Sequence, residues 1–314
     1  MALPYYPYFR GKQYELITIR ECAGLMKSAG FVPIIEPVKE SLGGLERTLA
    51  AICDVRGEAI VIVNPSHGDL KHDGENISNF LRKEFDLHTI SAGILLTNGM
   101  DSDQAMSYCE KNRDSKLALV HAGFTEPRIL SERLSSAGVG IFRHIFIEQH
   151  AGRLYRRHFD RSEGVLIQNG FSRQRNADYP RIEKFSELHL TFHYENVSGF
   201  GDFLIVGDEY SESGGPAYAV AIHLTFINPD DEDIMYIYHF ISDTNDTPTD
   251  PAGKFAQALG KLVEKLESGT SHLFETEAVK EFQELHRKGH FPGLGFVKKL
   301  SMKHHIETLA HYQG

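Results

Sequence analysis

The chain has 314 residues, 41% of them hydrophobic and 24% charged, with 33 Lys plus Arg against 43 Asp plus Glu for a formal net charge of -10. This composition excludes collagen-like, coiled-coil and wholly disordered chains, and the acidity excludes a protein that coats nucleic acid at large, which would need a basic surplus. With that acidity any anion site must be local, and the length suits about two domains, or one α/β barrel with an addition.

Short β-rich runs alternate with longer helical patterns up to residue 150, the mark of βα units around a parallel sheet. The predicted strands are Tyr5 to Arg10, Val32 to Pro37, Ala59 to Asn64, Ala92 to Thr97, Leu117 to His121 and Gly140 to Ile147. The intervening helices are predicted at Gln13 to Ala29, Leu42 to Val55, Ile77 to Phe85, Asp101 to Lys111 and Glu126 to Ala137. Leu16, Ile19, Ala23 and Met26 give the first helix one apolar face. Asp101, and Thr125 ahead of Glu126-Pro127, are helix starts, and Gly30 and Gly138 stand where left-handed caps belong. Apolar runs such as IVIVN do not alternate, which suits strands covered on both faces.

Beyond residue 150 the rhythm changes. Leu188 to Tyr194 and Phe203 to Val206 are the candidates for the seventh and eighth barrel strands. An antiparallel hairpin follows, Ala219 to Ile227 and Ile234 to Ser242 around the acidic turn Asn228 to Asp233, then an amphipathic helix at Pro251 to Leu266. A basic helical and loop segment occupies Thr276 to Gly314. The expected architecture is a TIM-barrel-like α/β body over 1–210 carrying a C-terminal hairpin and helical addition over 211–314, as one structural unit. Cys22, Cys53 and Cys109 fall in predicted helices without a C-x-x-C pair, so buried thiols in a reducing cytoplasm are expected. The opening MALPYYPYFRGKQ lacks signal-peptide regions and no apolar run approaches a membrane span, so the expectation is a cytoplasmic protein with no membrane partner.

In such a barrel the chemistry comes from the C-terminal strand ends and the loops after them. Those ends offer Arg10, Lys12 and Glu15; Glu36 and Lys39; Asn64, Ser66 and His67; His121; Glu148 and His150; and, after the last two strands, Glu195, Asn196, Asp202 and Asp208. Glu36 is the sharpest, because a carboxylate ending the apolar run VPII is costly without a partner; the alternative to a catalytic role is an ion pair with Arg10 or Lys12. Seven arginines and no lysine lie from Arg153 to Arg181, including Arg156, Arg157, Arg161, Arg173 and Arg175, and read either as an anion clamp or as a solvated loop.

The 17 histidines invite a metal reading, but their groupings do not carry one. His286 and His290 lack a metalloprotease context and straddle Gly289, and His189 and His193, four apart in a strand pattern, would be too far apart for one ion. His223 and His239 lie in the two arms of the hairpin and could meet. No Walker loop, dinucleotide fingerprint or nucleophile elbow is present.

Several stretches together resemble the beta family proteins of bacteria and phages, in a branch that opens with a Tyr-x-Pro-Tyr-x-Arg-Gly-Lys-Gln motif. Here these are Tyr5-Tyr-Pro-Tyr-Phe-Arg-Gly-Lys-Gln13 with Glu15, Pro33-Ile-Ile-Glu-Pro-Val38, Asn169-Gly-Phe171, Arg175-Asn-Ala-Asp-Tyr-Pro180, Gly199-Phe-Gly-Asp202, Ala221-Ile-His-Leu-Thr225 and His304-His305. The resemblance implies a barrel-like α/β fold with a C-terminal hairpin-and-helix addition and a place in phage-defence gene neighbourhoods. It implies no particular reaction.

The leading expectation is an enzyme acting on a phosphorylated, nucleotide-type or nucleic-acid-end substrate, in the manner of a metal-assisted hydrolase or phosphodiesterase. Glu36 and Asp202 would hold a divalent metal such as magnesium or serve as acid and base; Arg10, Lys12, Asn64, Arg173 and Arg175 would bind the anion; His121 or His223 would move protons. The alternative is a non-catalytic protein that recognises an anionic ligand or a companion protein. A third reading is self-pairing through the hairpin edge. Acid, base and cation converging in one pocket would favour the enzyme; dispersal, or locking into core ion pairs, would remove its basis.

Overall fold

A computed structural model describes residues 3–71, 74–159, 163–212, 215 and 217–312. Asp160, Arg161, Gln313 and Gly314 lie outside them. The chain forms two compact units, one comprising the stretch up to Asn169 with Leu188–Phe203, the other Gly170–Glu187 with the chain from Leu204 onward.

The first unit alternates strand and helix in chain order: β1 (Tyr8–Phe9), α1 (Gln13–Ala29), β2 (Ile34–Ile35), α2 (Gly43–Asp54), β3 (Ala59–Ile62), α3 (Gly74–Glu84), β4 (Ile90–Thr97), α4 (Ser102–Lys111), β5 (Leu117–Ala122), α5 (Pro127–Ser136), β6 (Arg143–Ile147), α6 (Arg153–Arg156) and β7 (Gly164–Gln168). After β8 (Ile182–Ser186), which belongs to the other unit, come α7 (Leu188–Thr191) and β9 (Gly199–Asp202). The eight strands pair in parallel in the order β1-β2-β3-β4-β5-β6-β7-β9. Tyr5 bridges Phe200, with Tyr6 N donating to Phe200 O at 2.8 Å and Phe200 N to Pro4 O at 3.0 Å, so the sheet curls back on itself into a nearly closed TIM-like barrel. Tyr6, Ile34, Ile62, Val120, Ile145 and Ile167 are among the side chains that fill it.

Two expected strands are corrected. Leu188 to Tyr194 is not strand seven but α7 and a following 3₁₀ turn, and Phe203 to Val206 is not strand eight. The seventh strand is the apolar run at Gly164–Gln168, and the eighth is Gly199–Asp202. Glycine is required there, because a Cβ on Gly201 would lie 2.0 Å from Tyr6 O and one on Gly199 2.7 Å from the Tyr6 ring. His189 and His193 therefore sit on a helix and a 3₁₀ turn.

The helix starts and stops have local causes. Asp101 and Gln104 form a reciprocal capping box at α4, and Gly30 ends α1 with φ 75°. Asp101→Ala is expected to lower stability by about 1 kcal/mol, read as a shift in urea midpoint against an unchanged slope; no shift would remove the cap from this account. Thr125 is not a cap: Glu126 holds that position without a side-chain cap bond and accepts instead from Ser102 N at 2.9 Å.

In the second unit, β10 (Ala221–Asn228) and β11 (Ile234–Ile241) form the expected hairpin, and β8 adds antiparallel to β11 as a third strand. Helices α8 (Pro251–Glu267), α9 (Glu277–Lys288) and α10 (Leu294–His311) complete it. Ile222, Leu224, Tyr238 and Phe240 alternate along the hairpin and pack with Phe255, Leu262, Phe282 and Leu300 of the helices. Gly289, at φ 58°, caps α9, so His290 lies past the helix end and the four-residue spacing from His286 is not helical. His304 and His305 join α10 to β10: His304 Nε2 lies 2.8 Å from Thr225 O and His305 Nδ1 2.9 Å from Thr225 Oγ1. The three cysteines lie in helices, and burial pushes the Cys109 thiol up to about 12.

Candidate functional site

The barrel's interior-facing positions run through Ile34 on β2 and end on Glu36, which is fully buried. Its carboxylate accepts from five donors: Arg10 Nη1, Tyr8 OH at 3.0 Å, Ser66 N at 2.9 Å, Ser66 Oγ at 3.1 Å and His67 Nδ1 at 3.0 Å. Burial alone would raise the pKa of Glu36, but the His67 hydrogen bond, the Arg10 charge and the Ser66 backbone bond outweigh it and hold the group at about 2. Glu36 is therefore a fixed charge near neutral pH, and it is paired with Arg10. The Arg10 guanidinium is itself enclosed, 5.0 Å from the Tyr8 ring centroid and 5.3 Å from that of Phe203, and its backbone N donates to Glu15 at 2.6 Å.

Gly11 and the loop after Glu36 border a cavity of about 200 Å³ between the first turns of α1 and α2. Gln13, Ile17, Leu42 and Gly44 contribute to its wall together with Arg20, Lys39 and Arg47, and no carboxylate among the described residues lines it. The N-caps of both helices, Lys12 and Leu42, make no side-chain cap hydrogen bond, so their first-turn amides keep the partial positive charge of a helix start. Lys39 also lies 3.6 Å from Asp69.

Several of the other expected site residues of the barrel unit are turned elsewhere or have their hydrogen-bonding groups engaged. Asp202 follows Gly201, whose missing Cβ faces the interior at Tyr6 and Ile167, so strand alternation turns Asp202 to the outer face, where it accepts from Tyr5 OH at 2.7 Å. Glu36 has its acceptor sites taken and faces inward, so the pair does not suit a shared divalent metal. Among the described residues no group of three or more His, Cys, Asp or Glu could hold a metal ion. His121 also faces outward from β5, between Tyr155 OH at 2.7 Å and His144 Nδ1 at 3.1 Å, under Phe146 and Phe159. Burial and the neighbouring His144 push its pKa well down, so it is a neutral core histidine and not a mouth residue. The Asn64 amide is spent bridging strands, donating to Leu95 O at 2.9 Å and accepting from Leu95 N at 2.7 Å. Lys12 is half-buried at the start of α1.

The arginines of the island divide between the two units. Arg153 and Arg156, in the barrel unit, share Glu195. Arg173 and Arg175 belong to the other unit and are exposed, Arg175 pairing with Asp178 at 2.7 Å.

His223, also in that unit, is the direct cross-strand partner of His239, with their Nδ1 atoms 2.6 Å apart, and His239 Nε2 lies 3.0 Å from Glu183 Oε1 on β8. Tyr179 stacks on His239 at 4.6 Å, and Phe171 meets His223 edge-on at 5.1 Å. Burial, His239 and then Lys298 push His223 well down, burial lowers His239 to about 4, and burial raises Glu183. The meeting of the two histidines follows from hairpin register. Glu183 was missed because IEKFS, with two charges in five residues, does not read as a paired strand. His67 was visible only as a strand-end residue, since nothing local ties it to Glu36.

No described helix is long and apolar enough to cross a membrane. Comparison with family models, with curated proteins and with solved structures gave no match in any of the three.

Proposed function

We propose that the barrel unit binds a phosphorylated anion at its C-terminal mouth, in the cavity walled by Arg20, Lys39 and Arg47. The observation that carries this reading is the sign of the lining: three cations, two helix starts without side-chain caps, and no carboxylate among the described residues. Helix N-termini at barrel mouths favour phosphate because several N–H groups converge where the helix dipole is positive. The acidic net charge of the chain makes such a local basic hollow selective against general polyanion binding.

Turnover of that anion is the second reading, favoured by the Glu36–His67 pair. An ionised Glu36 accepts from His67 Nδ1–H, which leaves Nε2 as the ring nitrogen not engaged by that carboxylate. This reading moves proton transfer to His67 from the acid-base groups first expected, since Glu36 is an ion-pair partner and Asp202 and His121 face outward. Membership of the beta family and a part in phage defence remain proposals resting on the motif residues, several of which, Tyr5, Tyr8, Arg10, Glu36 and Gly201, build the barrel seam and the Glu36 cluster.

Calorimetric titration with inorganic pyrophosphate and a panel of nucleoside mono- and diphosphates tests the binding. Arg20→Ala combined with Arg47→Ala is expected to weaken the tightest ligand by about 10-fold to 100-fold, the loss of one or two charge-assisted contacts. The absence of binding heat across the panel, or undiminished affinity in the double variant, would overturn the reading. Release of inorganic phosphate that disappears in His67→Gln while binding persists would support turnover.

A further inference from the structure

We propose that Glu183, His239 and His223 form a proton relay in the second unit, with His223 Nε2 as the general base that activates water for attack on a phosphodiester. The inference is independent of the barrel-mouth reading and rests on connectivity. Three titratable groups follow one another at hydrogen-bond distance, Glu183 Oε1 to His239 Nε2 at 3.0 Å and His239 Nδ1 to His223 Nδ1 at 2.6 Å.

That geometry fixes the protons. An ionised Glu183 can only accept, so His239 carries its hydrogen on Nε2. A neutral His239 then presents a lone pair at Nδ1, and His223 must supply the hydrogen between the two rings from its own Nδ1. The nitrogen left with a lone pair is His223 Nε2, at the end of the chain. The inner ring is shut off, with His239 at 3% exposure, whereas His223 and Glu183 are only half-buried, so protons can enter at one end and leave at the other. Tyr179 and Phe171 wall the rings and hold their orientation. Two histidines facing each other across a hairpin without water between them cannot both be protonated, which keeps the base available at neutral pH.

The surrounding charges are of both signs and suit an anion of low charge. His223 faces His239 on β11, Tyr179 and Phe171 from the segment before β8, and the charge of Lys298 from α10. Arg173, exposed, lies close enough to Tyr179 for its charge to act on that phenol, and the carboxylates of Glu183 and Glu209 act on it with the opposite sign. A phosphodiester bears a single negative charge and an electrophilic phosphorus, which Arg173 and Lys298 can meet without the stronger repulsion that Glu183 and Glu209 would exert on a dianion. An uncharged ester would gain nothing from Arg173 and Lys298.

The step balances. As the water oxygen forms its bond to phosphorus, His223 Nε2 takes the water proton and the P–O bond to the leaving group breaks, its oxygen departing with the electron pair. The His223 Nδ1 proton passes to His239 Nδ1 and the His239 Nε2 proton to Glu183, leaving both rings neutral. Glu183, whose carboxyl burial makes a better proton acceptor than an open one, returns the proton to solvent. The starting tautomers are restored by exchange of one proton at each end of the chain, gained by His239 Nε2 through Glu183 and lost from His223 Nε2, with the inner proton passing back from His239 Nδ1 to His223 Nδ1. His223 is the catalytic residue of this step; His239 and Glu183 are positioning residues.

The test uses the full chain with bis(p-nitrophenyl) phosphate and p-nitrophenyl acetate. The expected result is p-nitrophenolate release from the diester above the buffer rate, flat across neutral pH and falling in acid, while the intrinsically more reactive uncharged ester is accelerated much less over its own buffer rate. His223→Gln and Glu183→Gln should each lower kcat by on the order of 10²-fold with KM unchanged. The glutamine amide can donate to His239 Nε2 and so reverse both tautomers. Long-range 15N–1H spectra of the imidazoles should show His223 protonated at Nδ1 and His239 at Nε2 in the native chain, and the opposite in Glu183→Gln; this reading needs no substrate and reports whether the variant is folded. Tautomers other than these, or diester hydrolysis that survives in His223→Gln, would overturn the proposal.

Discussion

Replacing Glu36 by alanine should lower folding stability by about 3–5 kcal/mol, the range for breaking a buried ion pair and leaving its partner charged. Arg10 is 7% exposed and enclosed by Tyr8 and Phe203, so in the variant its guanidinium loses the Glu36 carboxylate without gaining water. Tyr8 OH, Ser66 and His67 would lose an acceptor as well. The same group sets a pH signature. Its carboxyl is held at about 2 in the folded chain against a usual 4.5, so it binds its proton more weakly folded than unfolded. The stabilisation is complete above the unfolded pKa and disappears as pH falls through the folded one. The window is about pH 5 down to about 2, and the size is about 3 kcal/mol from the shift at about 1.4 kcal/mol for each pH unit. Urea unfolding of the native chain and Glu36→Gln at several pH values would show it as a difference between the two that shrinks on acidification. A constant difference would mean that Glu36 acts by packing and not by charge.

The positions of Glu36 and its neighbours show what a sequence can and cannot carry. Glu36 stood out because an acid ending an apolar run must find a partner, and Arg10, at the corresponding end of the adjacent strand, was a candidate that pairing of β1 with β2 places beside it. His67 and Ser66 reach the same carboxylate from the loop after β3, a convergence decided by barrel closure rather than by any local pattern. Helices α1 to α5 were legible from their apolar stripes and end signals, since these are contacts of a helix with itself and with one sheet. Strand Gly199–Asp202 was not, because two glycines in four residues lower β-propensity, and the reason for them is the approach of Tyr6 from the other end of the chain. His121 was misplaced by one residue of alternation, which exchanges the inside of a barrel for its outside, and Asp202 by the strand itself, which ends on it instead of starting after it. The hairpin histidines fared better because a turn fixes cross-strand register, so His223 and His239 had to face each other once Asn228 to Asp233 formed the turn.

Gly201→Ala should be among the most damaging single-methyl changes in the barrel unit. The added carbon would lie 2.0 Å from the carbonyl oxygen of Tyr6 and 2.6 Å from Ile167 Cδ1, and the first of these is backbone that a rotamer change cannot move. Relief requires β9 and the Tyr5–Tyr6 segment to part, which weakens the bridge between Tyr5 and Phe200 that closes the sheet. The expected cost is about 3 kcal/mol, the upper end for overpacking, because the strain falls on paired main chain. Gly140→Ala is the internal comparison: a Cβ there meets nothing within 4 Å, and that change should leave stability within about 0.5 kcal/mol or raise it slightly. Urea midpoints of the two variants measured side by side decide the matter, and equal midpoints would refute the role given to Gly201. A second consequence separates loss of closure from general loosening. The Tyr5–Tyr6 segment leads directly into β1, and β1 delivers Tyr8 and Arg10 to Glu36, so parting the seam displaces two of the five donors on that carboxylate. Gly201→Ala should therefore lose part of the acid-sensitive stabilisation that belongs to Glu36, whereas an equally destabilising cavity elsewhere, such as Leu130→Ala under α5, should leave it whole.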